Sequence, residues 1–146
     1  MSLIVLDASV AAKWLLPAKG ETLTAEAFDL LRRYTGGEIV FVVPDLFWAE
    51  LANLLSKAVR RGRCMKASAD AALASLRERR LPTVPSLALL DLASGIAAAF
   101  DRTVYDAMYV ALAVDSKAQF VTADERLAYA LAARLPVRWL GAVSSI

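Results

Sequence analysis

The N-terminal strand sequence, a short apolar run that ends on a carboxylate, sets strict limits on the fold. Residues 3–6 read Leu-Ile-Val-Leu, and Asp7 follows directly. Unbroken apolar strands are typical of parallel sheets that are covered on both faces, whereas a half-exposed strand alternates apolar and polar residues. Because open α/β sheets bind ligands beyond the carboxyl ends of their strands, Asp7 is predicted to lie at such an edge. The alternative interpretation is that Asp7 only caps the helix predicted over residues 8–16, since aspartate is a favoured N-cap.

The remainder of the chain alternates between helix and strand patterns. Short apolar or β-branched runs predict further strands at residues 39–43, 83–84, 120–122 and 137–140. Apolar residues at helical spacing, bounded by turn residues, predict further helices at residues 24–34, 46–61, 66–79, 88–102, 103–117 and 125–135. Thr22 or Thr24 is expected to cap the second helix, and Asp45 the third. Alternating strands and helices predict one parallel α/β domain over residues 1–146.

Composition indicates where such a chain would work. It is 58% hydrophobic, with much of the excess in alanine, which suits closely packed helices. The longest weakly polar run, residues 87–100, contains Asp91 and is too short to span a bilayer. No basic segment precedes the first apolar run, as it would in a signal peptide. Because Cys64 is the only cysteine, no internal disulfide can form, and a cytoplasmic location without membrane attachment is expected.

The chain contains no histidine. This excludes Ser-His-Asp and Cys-His triads, a metal-free ribonuclease that uses a histidine acid–base pair, and zinc sites with histidine ligands. An enzyme with this sequence must therefore use carboxylates, lysine, tyrosine or a metal ion bound by carboxylates.

Glu50 interrupts the apolar side of its predicted helix. It lies three residues after Phe47 and four before Leu54, so it falls on or at the border of the buried stripe. A carboxylate that faces a core costs several kcal/mol unless it is paired or bound to a metal. The alternatives are that Glu50 reaches water from the stripe edge or pairs with an arginine elsewhere in the chain.

Two further acidic residues occupy comparable positions. Asp106 shares a helix face with Tyr109 and Val110, although Thr103 and Asp106 also fit a capping box. Asp124 follows the strand at residues 120–122 as Asp7 follows the first strand, and it too can cap the next helix.

These four acidic residues are predicted to converge at one edge of the sheet. Carboxylates that gather closely raise one another's pKa and need a counter-charge, which a hard divalent cation such as Mg²⁺ or Mn²⁺ supplies. Ser9 and Thr122 each lie two residues from one of the strand-end aspartates, close enough to orient carboxylates or bind phosphate. In the absence of histidine, the metal would acidify water and hold a phosphate oxygen, which is the chemistry of phosphodiester hydrolysis.

Four sequence motifs resemble those of the PIN-domain nucleases, in particular the VapC-type toxin ribonucleases of prokaryotic toxin–antitoxin pairs. They are Val-Leu-Asp-Ala-Ser at residues 5–9, Val-Pro-Asp-Leu-Phe-Trp-Ala-Glu-Leu-Ala-Asn at 43–53, Thr-Val-Tyr-Asp-Ala-Met-Tyr at 103–109 and Phe-Val-Thr-Ala-Asp at 120–124. Each motif alone is weak, but all four in this order and spacing make a specific signal that covers essentially the whole chain.

The resemblance implies a three-layer α/β/α fold with a mainly parallel sheet and an acidic quartet that binds metal. Its members would be Asp7, Glu50, Asp106 and Asp124, with Ser9 and Thr122 at the supporting hydroxyl positions. It further implies cleavage of RNA with Mg²⁺ or Mn²⁺, a homodimer, and inhibition by a small antitoxin that covers a hydrophobic groove. Where many relatives have Gly or another small polar residue before the third motif, this chain has Asp101 and Arg102. Asp101 either lies near the site or pairs with Arg102, and the pair is the favoured expectation.

The net charge of +2 does not by itself indicate a nucleic-acid partner. Positive charge is nevertheless concentrated in one region, at Lys57, Arg60, Arg61, Arg63, Lys66, Arg77, Arg79 and Arg80. Such a cluster suits RNA phosphates, an acidic antitoxin segment, or simple solvation of helix ends.

Two other functions compete with a nuclease. A phosphatase that uses Asp7 as a covalent nucleophile predicts a second acidic residue two positions on, where this chain has Ser9. A binding module that docks RNA or protein without cleavage predicts a vacated acidic quartet, whereas all four acidic residues are present.

Overall fold

The computed structural model describes residues 2–146, which form a three-layer α/β/α sandwich. The strands are β1 (Ser2–Leu6), β2 (Ile39–Pro44), β3 (Thr83–Val84), β4 (Gln119–Thr122) and β5 (Val137–Trp139). The helices are α1 (Ala8–Leu15), α2 (Thr24–Thr35), α3 (Leu46–Arg60), α4 (Lys66–Glu78), α5 (Ser86–Phe100), α6 (Val104–Ser116) and α7 (Glu125–Leu131), and a 3-10 helix spans Leu140–Ser145. The predicted fold class is confirmed.

All strand pairs are parallel, in the order β3-β2-β1-β4-β5. From β1 the chain builds outwards through β2 and β3, then returns to the other side of β1 for β4 and β5. The carboxyl ends of β1 and β4 therefore flank a topological switch point, where ligands of doubly wound sheets bind. The Asp7 N–H donates a hydrogen bond to the Val121 carbonyl over 3.2 Å, so these two strand ends are joined directly.

The core forms around the central strand β1 and the helix α6. Ile4, Val5 and Leu6 have no exposed surface, as expected for an unbroken apolar strand. Helix α6 contacts β1, β2 and β4 and is covered by α5, so residues 107–113 are all buried. No helix among residues 2–146 is long and apolar enough to span a membrane.

Several predicted boundaries and caps differ from the structure. Helix α7 ends at Leu131 rather than at residue 135. The predicted end was itself unfavourable, because the residue before Pro136 is biased away from helical dihedral angles. Neither Thr22 nor Thr24 caps α2, whose N-cap is Leu23 without a side-chain bond. Asp45 is the N-cap of α3 but makes no capping bond either; its side chain accepts a hydrogen bond from the Ser86 hydroxyl, at the start of α5.

Candidate metal site

The four acidic residues reach the switch point from different elements. Asp7 connects β1 to α1, and Asp124 lies between β4 and α7. Glu50 is in the second turn of α3, and Asp106 is in the first turn of α6. Parallel strands bring their carboxyl ends to the same sheet edge, which explains how Asp7 and Asp124 come to lie at one edge although they are far apart in sequence.

Asp7 is held by two hydroxyl groups. Ser9 Oγ donates to Asp7 Oδ2 over 2.9 Å, and Thr122 Oγ1 donates to the same oxygen over 2.6 Å. Although Asp7 occupies the N-cap position of α1, its side chain makes no capping hydrogen bond. Asp7 thus takes the N-cap position of α1, and the two hydroxyls orient its carboxylate.

The same two hydroxyls also bind the backbone of the neighbouring loop. Thr122 Oγ1 accepts a hydrogen bond from the Asp124 N–H over 3.1 Å, and Ser9 Oγ accepts one from the Ala123 N–H over 3.2 Å. Because each hydroxyl both accepts and donates, the β4–α7 loop is fixed relative to the Asp7 carboxylate.

Burial raises the pKa of Asp7. Desolvation of the carboxylate is the largest cause, the hydrogen bonds from Thr122 and Ser9 offset part of it, and the charge of Asp106 adds to the rise. The two hydroxyls thus stabilise the Asp7 carboxylate, but they do not cancel the effect of burial on its pKa.

Glu50 is half-buried and oriented by a tyrosine. The Tyr109 hydroxyl donates to Glu50 Oε1 over 2.5 Å. Burial raises the pKa of Glu50, the Tyr109 hydrogen bond lowers it, and the charges of Asp7 and Asp106 raise it further. Within residues 2–146 Glu50 forms no ion pair, so the predicted alternative of an arginine partner is not observed.

Tyr109 is a site residue that the sequence reasoning missed. Its ring is buried and stacks on Phe120 with centroids 5.1 Å apart and an interplanar angle of 18°. Burial and the nearby carboxylates raise the pKa of Tyr109, so its hydroxyl keeps its proton and acts as a donor. The available signal was its position three residues after Asp106, on the same face of α6.

Asp106 is partly buried next to a second acidic residue. Its own N–H donates to Thr103 Oγ1 over 3.1 Å, which is one half of the predicted capping box. Burial and then the charge of Asp124 raise the pKa of Asp106, whereas a hydrogen bond with the Thr103 side chain and the guanidinium of Arg102 lower it.

The structure also tests the predicted cap by Asp124 and the predicted pairing of Asp101. Asp124 Oδ1 accepts a hydrogen bond from the Leu127 N–H over 3.1 Å, so its predicted cap of α7 is confirmed. The expected pairing of Asp101 with Arg102 is wrong, since no ion pair joins them in the described chain. Asp101 instead ends α5 in a left-handed conformation with φ of 53°. The charge of Arg102 acts on Asp106, whose pKa it lowers.

The four carboxylates form an electrostatic group rather than a finished coordination shell. Within residues 2–146 no three acidic or thiol side chains lie close enough to one another to hold a metal ion as they stand. Yet burial and mutual repulsion act in the same direction on Asp7, Glu50 and Asp106. A group of partly desolvated carboxylates that raise one another's pKa fits a divalent cation with oxygen ligands, because the cation would supply the missing counter-charge.

A family model for the PIN domain matches residues 4–132 of this sequence, and the chain belongs to the PIN domain family. The match includes all four candidate acidic residues. A comparison with curated protein sequences finds no match.

Solved structures share the fold at low sequence identity. PAE2754 from Pyrobaculum aerophilum is 22% identical with a TM-score of 0.69, and the match covers 99% of this chain and 91% of that one. VapC20 of Mycobacterium tuberculosis, described as a Sarcin-Ricin loop cleaving toxin, is 20% identical with a TM-score of 0.64, covering 88% and 95%. VapBC2 from Rickettsia felis, solved with a DNA fragment from its promoter, is 12% identical with a TM-score of 0.65, covering 94% and 98%.

Proposed function

We propose that this protein is a metal-dependent endoribonuclease that hydrolyses RNA phosphodiester bonds. The observation that carries the proposal is the group of Asp7, Glu50 and Asp106 at the switch point, where burial and like charge raise all three carboxyl pKa values. Membership of the PIN domain family and the similarity to a toxin described as cleaving the Sarcin-Ricin loop support it.

In this proposal Asp7, Glu50, Asp106 and Asp124 hold Mg²⁺ or Mn²⁺ directly or through water. The bound cation would acidify an attacking water and offset charge that develops on the phosphate. Ser9 and Thr122 keep the Asp7 carboxylate in one orientation, and Tyr109 does the same for Glu50. Such supporting hydrogen bonds matter because misdirected ligands weaken both metal binding and activity.

We further propose that the nuclease is the toxin of a toxin–antitoxin pair and forms a homodimer. Similar structures include VapBC2 and FitAB, each solved with a DNA fragment, and these support a small antitoxin partner. Exposed leucines on α5, at Leu87, Leu90 and Leu92, support a contact with a second copy. Light scattering on the purified protein, alone and after co-expression with a candidate antitoxin, tests both statements.

The decisive experiment is cleavage of a labelled RNA panel with Mn²⁺, with Mg²⁺ and with chelator. Asp106→Asn, purified identically, is the matched control, since contaminating ribonucleases mimic weak activity. Its backbone N–H still reaches Thr103, so the helix cap survives the substitution. We expect metal-dependent cleavage that the variant lacks, together with thermal stabilisation of the wild-type protein by Mn²⁺. Equal products from both proteins, or none from either, would refute the nuclease.

A further inference from the structure

The basic residues in the region 57–66 do not share one surface. Lys57, Arg61 and Arg63 line a groove beside the candidate metal site. Arg60 and Lys66 line a different groove, between α3 and α4. Residues four apart on a helix share a face, whereas adjacent residues do not, which accounts for the separation of Arg60 from Arg61.

The groove beside the site, which we name the basic groove, has a volume of about 260 Å³. Lys13 of α1 forms part of one wall, and Lys57 with Arg61 forms part of the other. Arg63 and the single acidic residue Glu21 also line it. Four cations and one carboxylate therefore face a space large enough for part of an extended chain.

The basic groove lies directly beside the acidic residues of the candidate metal site. Ser9 and Ala123 line it, and they are joined by the hydrogen bond from the Ala123 N–H to Ser9 Oγ. Ser9 Oγ in turn donates to Asp7 Oδ2, so the groove begins one hydrogen bond away from the site. On α3, Glu50 and Lys57 are seven residues apart, which places them on one face about 10 Å apart along the helix axis.

Two of the four cations in the groove share its single carboxylate. Lys13 pairs with Glu21 over 3.3 Å, and Arg63 pairs with the other oxygen of Glu21 over 2.8 Å. Lys57 and Arg61 are exposed, and their side chains form no hydrogen bond or ion pair with any described residue. Their charges are therefore available to an anionic ligand.

We propose that the basic groove binds backbone phosphates of the RNA strand that flank the phosphate to be cleaved, through Lys57 and Arg61. This inference rests on the proposed ribonuclease function. The cluster of acidic residues repels the RNA polyanion, so the binding energy for RNA has to come from cations beside that cluster. A strand that leaves the groove past Ser9 carries its next phosphate to Asp7, whereas an acidic peptide gains nothing from that continuity.

The test is equilibrium binding of a labelled single-stranded RNA in chelator, where cleavage does not interfere, over a series of salt concentrations. Lys57→Ala/Arg61→Ala is compared with Arg60→Ala/Lys66→Ala, which removes the same charge from the same region but from the other groove. Each phosphate contact to a single strand contributes about 0.7 to the salt slope, so the first variant should lose about 1.4 of slope and about tenfold in affinity. Equal losses in both variants, or none in the first, would overturn the proposal.

Glu21→Gln gives an independent readout of the opposite sign. Removing the one carboxylate of the basic groove frees the partly exposed Arg63 and removes a negative charge that repels phosphate, so RNA binding should become tighter and its salt dependence steeper. A gain in affinity cannot arise from partial unfolding, which would weaken binding. Unchanged or weaker binding by a folded Glu21→Gln protein would argue against the groove as the RNA path.

Two further arms separate this inference from the proposed function. If the wild-type protein cleaves RNA with metal and Lys57→Ala/Arg61→Ala binds and cleaves equally well, the groove is wrong and the nuclease stands. If the wild-type protein cleaves nothing but the same variant loses RNA affinity, the groove is right and the nuclease is wrong. Loss of affinity for poly-glutamate without loss for RNA would assign the groove to an acidic protein segment and overturn the proposal.

Discussion

The Tyr109 hydroxyl donates a 2.5 Å hydrogen bond to Oε1 of Glu50, and this contact joins α6 to α3 across the candidate metal site. The ring of Tyr109 is fixed by stacking on Phe120 of β4. The buried ring of Tyr109 thus fixes the Glu50 carboxylate, on a separate helix, relative to the sheet. Tyr109 is best described as a positioning residue, since it acts through Glu50.

Tyr109→Phe removes this hydrogen bond and keeps the stacked ring. The hydrogen bond lowers the pKa of Glu50, so its loss should raise that pKa further and move the acidic limb of the pH–rate profile to higher pH. Metal affinity should fall about 10–100-fold, as for other supporting contacts of metal ligands. Calorimetric titration with Mn²⁺ and a pH series of cleavage rates measure both effects.

Tyr105→Phe is the matched control for this prediction. Tyr105 lies on the same helix, and 65% of its surface is exposed. We expect its metal affinity and pH profile to remain those of the wild-type protein. An unshifted acidic limb in Tyr109→Phe would show that the hydroxyl does not govern Glu50.

Thr122→Val removes the hydroxyl that links the two strand-end aspartates. Thr122 is fully buried, and the substitution leaves the Asp7 carboxylate and the Asp124 N–H each without one partner. Leaving buried polar groups unpaired costs about 1–3 kcal/mol, so the melting temperature should fall by several degrees. Thr122→Ser keeps the hydroxyl and should restore metal binding, although it loses a buried methyl group. If valine and serine behave alike in metal titration, the hydroxyl has no role at the site.

The sequence predicted which carboxylates to consider but not the contacts that orient them. The apolar run before Asp7 predicted a carboxylate at a strand end, and helical periodicity placed Glu50 and Asp106 on inward helix faces. The partner of each hydroxyl depended on strand order, which no local pattern encodes. Thr122 therefore bonds the Asp7 carboxylate, 115 residues away in sequence, because β1 and β4 are neighbours in the sheet.

The contact of Tyr109 is a second case in which the local sequence did not predict a partner on another element. Its spacing from Asp106 placed it on the inner face of α6, but its partner Glu50 lies on another helix, 59 residues earlier. The distribution of the basic residues over two grooves could be predicted in part from the sequence. The four-residue spacing of Lys57 and Arg61 predicts a shared face, but only the packing of α1 against α3 creates the groove on that face.

Removing one negative charge from the cluster of acidic side chains should stabilise the metal-free protein. Burial raises the pKa of Asp7, Glu50 and Asp106, so the folded state holds protons more tightly than the unfolded chain. The contribution of these groups is therefore most favourable below the ordinary carboxyl pKa of about 4, and it is lost as pH rises through their raised folded pKa values. In chelator at neutral pH, Asp106→Asn should melt at a higher temperature than the wild-type protein.

Thermal unfolding of both proteins from acidic to neutral pH measures this difference. The advantage of Asp106→Asn should shrink towards pH 4 and reverse when Mn²⁺ is added, because the variant lacks one of the proposed metal ligands. Asp115→Asn, an exposed substitution on the same helix, should leave the melting temperature almost unchanged. A variant that is less stable than the wild-type protein in chelator would show that Asp106 is not under repulsion.

Glu21→Ala should destabilise the protein through Lys13, whose side chain is only 8% exposed and pairs with Glu21. Removing one partner of a buried pair leaves an uncompensated charge, which costs about 3–5 kcal/mol in a dry interior and less here because Glu21 is 14% exposed. Lys13→Met should cost less, since methionine fills the space without charge and Glu21 keeps its bond to Arg63. The double variant Lys13→Met/Glu21→Ala should regain most of the loss seen with Glu21→Ala. Urea unfolding of the four proteins forms a double-mutant cycle, and strictly additive losses would mean that the pair does not interact.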